Sequence, residues 1–187
     1  MKKFVFYTIA LAAMLLAGCE EEKQWDFYNT EIVIDLRDGD GKNLFDAYHP
    51  ESMRDNRVSI SYDGATYPLV FEEPNTRAER VLPQWNANGR NPFRLIGYYE
   101  TENSLVRLVF GEFSADTKNY HAESFNINWG DGTMSEVRFD LYAASNGKNE
   151  EPTMHEAIWV ESGLGEGART DNSLNLHIVK AATAAAN

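Results

Sequence analysis

The feature that most constrains the fold of this chain is an apolar residue at every second position in several separate segments. Near its start, Ile32, Ile34 and Leu36 alternate with other residues in this way. The same alternation recurs in four further segments, at residues 58–62, 125–129, 137–141 and 174–178. Because successive side chains of a strand point to opposite faces, each segment turns one face to a core and the other to water. This pattern is typical of antiparallel strands.

Other segments indicate where strands lie within a sheet. Leu105–Phe110 and Ala157–Val160 are apolar at both odd and even positions, which predicts strands in the middle of a sheet. Pro68 lies in another apolar segment, and because proline cannot donate a ladder hydrogen bond, its strand is expected at a sheet edge. After residue 19 no segment carries a long apolar stripe at helical spacing.

Turn signals separate the alternating segments. Asp63-Gly64 and Asp131-Gly132 each stand between two of them, and Asp-Gly tolerates the positive φ angles of tight hairpin turns. Short strands with turn signals between them are typical of a β-sandwich. The sequence therefore predicts an all-β domain, an antiparallel β-sandwich of about eight or nine strands.

The N-terminus has the layout of an export signal. Lys2 and Lys3 precede fourteen residues, 4–17, that are almost all apolar, as in the positive and apolar regions of a signal peptide. A membrane-spanning helix needs about 20 apolar residues. Because this stretch is shorter and is followed at once by three glutamates, residues 1–18 are predicted to be a signal peptide.

The only cysteine of the chain follows this stretch. Leu16-Ala17-Gly18-Cys19 resembles the lipobox of bacterial lipoproteins, which implies that Cys19 carries lipid and becomes the mature N-terminus. Each buried methylene of such a lipid adds about 0.8 kcal/mol of anchoring. The alternative is an ordinary signal peptide that leaves Cys19 as a free thiol, exposed to oxidation.

Three glutamates, Glu20 to Glu22, come directly after this cysteine. They resemble the surface-export tag of Bacteroidetes lipoproteins, and the alternative is a tether that simply stays in water. Residues 19–29 are therefore interpreted as a lipidated acidic tether. Residues 30–180 are predicted to be the β-sandwich domain, and residues 181–187 a flexible tail.

Charge limits the partners of the mature chain. The chain has 17 basic and 29 acidic side chains, and removal of Lys2 and Lys3 with the signal leaves 15 − 29 = −14. Such a surface repels phosphate backbones, and no Lys/Arg cluster opposes it. Nucleic acid and anionic lipid headgroups are therefore poor partners, whereas cations, neutral glycans and proteins remain.

The whole layout resembles a family. The lipobox, the acidic tether and the opening Glu31–Asp46 are similar to those of small Bacteroidetes outer-membrane lipoproteins with transthyretin-like or immunoglobulin-like sandwiches. The resemblance implies an address, the outer membrane with the domain on the cell surface, and a fold class. It implies no catalytic residue.

One loop suggests a cation site. Asp38, Asp40, Asn43 and Asp46 place oxygen donors at spacings that calcium could use, since this ion takes six to eight oxygens. Lys42 stands where an EF-hand loop has its third oxygen ligand, and its ammonium would oppose the ion. The alternative is a loop between strands whose Asp and Gly residues serve the turn.

A second loop suggests a ligand site. Trp85 lies among prolines, asparagines and a glycine, with Asn86, Asn88 and Arg90 around it. An indole face and amide donors can receive a sugar ring, and binding residues concentrate on loops. The alternative is that Trp85 packs over the core.

Two further tryptophans, Trp129 and Trp159, are expected in the core because they lie on strand faces interpreted as inward. The segment containing Trp159 begins His155-Glu156, which invites comparison with the zinc-protease pattern H-E-x-x-H. The second histidine is missing and the segment is predicted to be a strand, so that site cannot form.

These observations favour a lipid-anchored, non-catalytic binding or interaction module. In one version it binds a glycan. The alternative is a structural or assembly lipoprotein that contacts another envelope protein through a sheet edge near Pro68. A hydrolase is the third reading, because neither a nucleophile nor a metal set is visible in the sequence.

Overall fold

A computed structural model describes residues 27–72, 93–100, 105–147 and 150–180, apart from residues 28 and 47. Within these ranges the chain forms ten strands and no helix, which confirms the all-β class. The strands are β1 Thr30–Asp38, β2 Ser59–Tyr62, β3 Ala65–Glu72, β4 Leu95–Glu100, β5 Leu105–Phe113, β6 Tyr120–Asn128, β7 Met134–Ala144, β8 Thr153–Gly163, β9 Arg169–Asp171 and β10 Asn175–Lys180.

The ten strands form one mixed sheet in the order β10-β1-β5-β4-β3-β2-β6-β7-β8-β9. Neighbours are antiparallel except for the pairs β1 with β10 and β3 with β4, which are parallel. The two end strands, β9 and β10, contact each other, so the sheet nearly closes on itself. Neither a sandwich nor a count of eight or nine strands is confirmed by this arrangement.

Strand β3 joins the two halves of the sheet. Its residues Ala65 to Pro68 pair with β2, and its residues from Leu69 onward pair with β4. The edge position expected for Pro68 is therefore wrong, since β3 has a neighbour on each side. Pro68 precedes the first residue of β3 that pairs with β4, so the sheet loses no ladder bond through its missing N–H.

The core forms from the inward faces of both halves. In β1, Ile32, Ile34 and Leu36 are fully buried, and the predicted alternation likewise buries residues of β2, β6, β7 and β10. Trp129 is fully buried as predicted. Its Nε1–H donates to Ser135 Oγ at 2.8 Å, and Ser135 Oγ donates to the Leu164 carbonyl at 2.6 Å, so its polar atom is satisfied.

Both predicted hairpins are present. Asp63 and Gly64 have φ angles of 48° and 72° and form a two-residue turn between β2 and β3. The loop between β6 and β7 is longer, and there Gly132 takes a φ of 92° while Asp131 Oδ1 accepts hydrogen bonds from Thr133. The predicted middle strands are also confirmed, since β5 lies between β1 and β4 and β8 between β7 and β9.

Several predictions concern residues outside the described ranges. These are the signal peptide at residues 1–18, Cys19, nearly all of the tether at residues 19–29 and the tail at residues 181–187. In the part of the chain that is described, no helix is long and apolar enough to cross a membrane.

Candidate functional site

The loop proposed for calcium begins at the end of β1, and its acidic side chains are used within the loop. Asp38 Oδ1 accepts the backbone N–H groups of Asp40 and Lys42 at 2.9 and 2.8 Å. Its Oδ2 lies 2.9 Å from His49 Nε2. The hydrogen bond from His49, followed by that from the Lys42 N–H, lowers the pKa of Asp38. Asp38 therefore remains an anion that closes the turn.

His49 is held by both of its ring nitrogens. Its Nδ1 accepts the Glu51 backbone N–H at 3.0 Å, so its Nε2 carries the proton donated to Asp38. The side chain is only 7 % exposed. With both nitrogens occupied, His49 fastens the loop and has no lone pair free for a substrate or a metal.

The other proposed calcium ligands point to different partners. Buried Asn43 donates through Nδ2 to Asp35 Oδ1 at 3.4 Å and accepts the Phe45 N–H through Oδ1 at 2.8 Å. Asp46 Oδ1 accepts the Tyr48 N–H at 2.9 Å. Among the described residues, no group of three or more His, Cys, Asp or Glu side chains is arranged to hold a metal. The calcium site stays an untested prediction, and these contacts favour its alternative, a loop whose acidic residues serve the turn.

A buried carboxylate lies next to this loop on the outer side of β1. Asp35 is 6 % exposed; its Oδ2 accepts the Arg37 Nε–H at 2.7 Å and lies 3.3 Å from His177 Nδ1. His177 is itself 68 % exposed. Among the described residues it makes no hydrogen bond to a hydroxyl that could serve as a nucleophile. The pair therefore orients an exposed imidazole without completing a catalytic triad.

The ligand site proposed around Trp85, with Asn86, Asn88 and Arg90, lies outside the described residues. Of the sequence-based site residues, only the four of the β1 loop can be placed. Three of them, Asp38, Asn43 and Asp46, accept hydrogen bonds from different local backbone N–H groups.

The described surface instead presents an aromatic face, which we define as the solvent side of β6–β9 with His121, Tyr142, His155 and Trp159. The core position expected for Trp159 is wrong. Its neighbours Ile158 and Val160 are buried, so Trp159 points the other way and is only partly buried. The segment is apolar at both parities, and Ile158 and Val160 are the residues that the structure places in the core.

Trp159 is fixed by charged neighbours on three strands. It pairs across the sheet with Arg138 on β7 and with Arg169 on β9. The Arg169 guanidinium carbon lies 5.0 Å from the centre of the indole ring, a cation–π contact. The indole Nε1–H donates to Glu161 Oε2 at 3.0 Å. The ring is therefore presented in one orientation.

Carboxylates hold the two arginines in turn. Arg138 donates to Glu136 Oε1 through Nε and Nη2 at 3.3 and 3.1 Å, and Arg169 donates to Asp171 Oδ1 at 3.1 and 2.8 Å. Such surface pairs contribute about 0–1 kcal/mol each to stability. Their clearer effect is on geometry, because they hold guanidinium donors and carboxylate acceptors in one row beside the indole ring.

A stack of three rings completes the aromatic face. Tyr142 and His155 are paired residues of β7 and β8, with ring centres 4.8 Å apart and planes 16° from parallel. His121 lies on β6, the neighbour of β7 on its other side, and the centre of its ring is 4.4 Å from that of Tyr142. Both histidines are exposed. Three neighbouring strands thus expose a continuous aromatic ridge.

The sequence contained part of the signal for this face. His155 and Trp159 are four residues apart, and in a strand such residues share a face. The partners on β6, β7 and β9 became visible only through the register of the sheet, which joins Tyr142 to His155 and Trp159 to Arg169. No known protein family, curated protein or solved structure matches this chain.

Proposed function

We propose that this chain is a non-catalytic binding module of the bacterial outer membrane, anchored by lipid on Cys19, and that its aromatic face binds a neutral glycan. The observation that carries the proposal is the fixed row of Arg138, Trp159 and Arg169 beside the ring stack. Sugar recognition combines apolar ring surface with a few well-placed polar groups, and this face offers both.

Charge supports a neutral ligand. The mature chain has a net charge of −14 by the count above, and both arginines of the aromatic face are already paired with carboxylates. An anionic sugar would meet these carboxylates as like charges, whereas a hydroxyl can donate to them. Neutral sugars are therefore favoured.

The proposed address comes from the sequence. The lipobox Leu16–Cys19 supports lipidation, and the three glutamates that follow support export to the cell surface. A single acyl chain binds membranes only marginally, so stable anchoring would need the two or three chains of a lipoprotein. An aromatic face on the outer surface would then meet glycans from the surroundings.

The finer fold proposal is an immunoglobulin-like or transthyretin-like sandwich. The division of β3 supports it, because one strand that pairs first with β2 and then with β4 is how two packed sheets share a corner. The single core between the two halves supports it as well. Two parallel strand pairs distinguish the sheet from a purely antiparallel sandwich.

A glycan array with a Cys19→Ser form, which lacks the lipid, tests the ligand. Trp159→Ala should weaken binding at least tenfold, which corresponds to about 1.4 kcal/mol. Tyr48→Ala is the control, since Tyr48 is 94 % exposed and lies outside the aromatic face. Trp85→Ala tests the loop predicted from the sequence in the same assay.

The outcomes separate the sites. Loss of binding in Trp159→Ala alone assigns the ligand to the aromatic face, and loss in Trp85→Ala alone assigns it to the Trp85 loop. Absence of any glycan signal from the intact protein would remove the glycan proposal altogether.

A second candidate is an assembly lipoprotein that contacts another envelope protein. The same face supports it, because tryptophan, tyrosine and arginine are the residues most enriched at the energetic centres of protein interfaces. A photo-crosslinker at position 155 in intact cells should then capture one envelope protein, while the same group at position 48 should not. Equal capture from both positions would contradict this candidate.

A further inference from the structure

An apolar row crosses the outer side of four strands, on the half of the sheet opposite the aromatic face. It consists of Val33, Val109, Ile96 and Val70, which are consecutive register partners on β1, β5, β4 and β3. Val70 is 58 % exposed, and the other three are partly buried. A contiguous row of β-branched residues is unusual on a face that water covers, and such patches commonly mark a contact surface.

A long connection joins two strands of this row. Strands β3 and β4 are neighbours and parallel, with Leu69 opposite Leu95 and Glu72 opposite Tyr98. The chain must therefore return past the length of the pair between the end of β3 and Phe93. Parallel neighbours need a crossover of about a dozen residues or more. Residues 73–92, which lie outside the described ranges, supply 92 − 72 = 20.

The handedness of that crossover selects one side of the sheet. The Leu69 N–H donates to Val58 O, toward β2, while the Leu69 side chain packs on the core. Consider the sheet viewed from outside, with β3 running upward and the Leu69 side chain pointing away from the viewer into the core. The N–H of an L-residue in this position points to the left, so β2 lies to the left of β3 and β4 lies to its right. Crossovers are right-handed in about 98 % of cases. A right-handed path from β3 to β4 passes over the outer side.

The inner side is closed by packing. A Cβ built on Gly97 of β4 would lie 2.7 Å from the Phe71 ring, so this ring already covers the inner side of β4 at that residue. The ring of Phe93, at the entry to β4, lies 4.8 Å from that of Phe113 and 5.2 Å from that of Tyr62. Packing and handedness therefore agree on the outer side, where Val70 is exposed and Ile96 is partly buried.

We propose that the apolar row is the docking surface for residues 73–92 of the same chain. The segment carries Val81, Leu82 and Trp85, whose side chains are of the type that such a row would bind. The outer side of β3–β5 would then be an internal interface, and the aromatic face would be the open one.

A matched pair of valines tests the docking. Val70 and Val179 are each 58 % exposed, and both lie on outer faces, but Val179 belongs to β10, away from the crossover. In a full-length Cys19→Ser background, Val70→Cys should react with a bulky thiol reagent at least about tenfold more slowly than Val179→Cys, because a covered thiol reacts only after local opening.

Two altered segments complete the test. Replacing residues 75–90 by an equally long Gly/Ser sequence should bring the two rates together. The triple change Val81→Ser, Leu82→Ser and Trp85→Ser should do the same with the crossover length and backbone kept. Equal reaction rates of Val70→Cys and Val179→Cys in the protein with its natural segment would by themselves overturn the proposal. A rate difference that persists in a folded protein with either altered segment would also overturn it.

Discussion

Lys180 Nζ lies 2.6 Å from Asp131 Oδ2, and this ion pair ties the end of β10 to the hairpin between β6 and β7. Partial burial raises the pKa of Asp131, but Lys180 and the two Thr133 donors outweigh it and lower the pKa to about 2. The pair joins the last described strand to a hairpin 49 residues earlier in the chain.

Asp131→Asn should destabilise the protein only where the carboxylate is charged. Because the folded-state pKa lies below the ordinary value of 3.8, the stabilisation is complete above about pH 4 and is lost as the pH falls toward 2. We expect a loss of about 1 kcal/mol at pH 7, since solvent screens part of the pair. Chemical unfolding of the natural protein and of Asp131→Asn at pH 7 and at pH 2 measures this loss. A loss of the same size at pH 2 would contradict a stabilising role of the charged carboxylate.

Glu156→Gln should have the opposite sign. Burial raises the pKa of Glu156, and a hydrogen bond with Thr30 opposes this only in part. Its contribution to stability is therefore present below the ordinary value of 4.5 and is lost as the pH rises through the folded-state pKa. The amide should raise the free energy of unfolding at pH 7 by less than about 1 kcal/mol, because solvent still reaches the group.

Exposed Glu166 provides the matched control for this change. Glu166→Gln should leave the free energy of unfolding unchanged at pH 7 and at pH 4. An equal gain from both amides would assign the effect of Glu156 to overall charge and not to its burial.

Ser135→Ala should leave the buried indole N–H of Trp129 without an acceptor. The serine hydroxyl is the acceptor for the Trp129 indole N–H, and an unpaired buried donor costs about 1–3 kcal/mol. The cost should shrink in a Trp129→Phe background, where that donor no longer exists. Thermal or urea unfolding of the natural protein, the two single variants and the double variant gives the coupling energy between Ser135 and Trp129. A cost that is the same in both backgrounds would refute the role of this hydrogen bond.

Two glycines of the β8–β9 connection offer a matched comparison of backbone strain. Gly163 and Gly167 have φ angles of 90° and 83°, but a Cβ on Gly163 would collide with the Met134 carbonyl, whereas one on Gly167 meets nothing within 4 Å. Gly167→Ala should cost about 1–2 kcal/mol from the left-handed backbone alone. Gly163→Ala should cost at least about 1 kcal/mol more, and equal unfolding midpoints would contradict this.

Calcium should leave the unfolding midpoint unchanged. A ligand that binds only the folded state must raise the midpoint, but the Asp38 carboxylate is already engaged by two backbone N–H groups and His49. Thermal unfolding with calcium and then with a chelator checks this. A midpoint raised by calcium and restored by the chelator would establish the loop as a site after all.

The strands and turns were predictable from local pattern, but their order in the sheet was not. The alternation at Ile32, Ile34 and Leu36 depends only on the two-residue period of a strand. The turn at Asp63-Gly64 depends only on the backbone preferences of these two residues. The pairing of β1 with β10 and of β3 with β4 is decided by packing between distant residues, which leaves no periodic signal. Pro68 was misjudged for this reason, because its strand changes partner at that residue.

The candidate site was harder to predict than the fold. Trp159 lies in a segment that is apolar at both parities, so its direction depended on whether Ile158 and Val160 packed better in the core. The ring stack needs residues from three strands, and Tyr142 and His155 meet only through the register of β7 and β8. The turn at Asp38, in contrast, was predictable, because Asp and Gly residues typical of turns follow one another there in the sequence.

The parallel pairing of β1 with β10 makes the completion of the sheet depend on the C-terminal part of the chain. The first strand is finished only when residues 175–180 reach it, and the other neighbour of β1 is β5, about seventy residues away. Such long-range pairing slows folding, because the intervening chain must be closed into loops first. A chain that is synthesised N-terminus first would therefore keep one edge of β1 open until β10 reaches it.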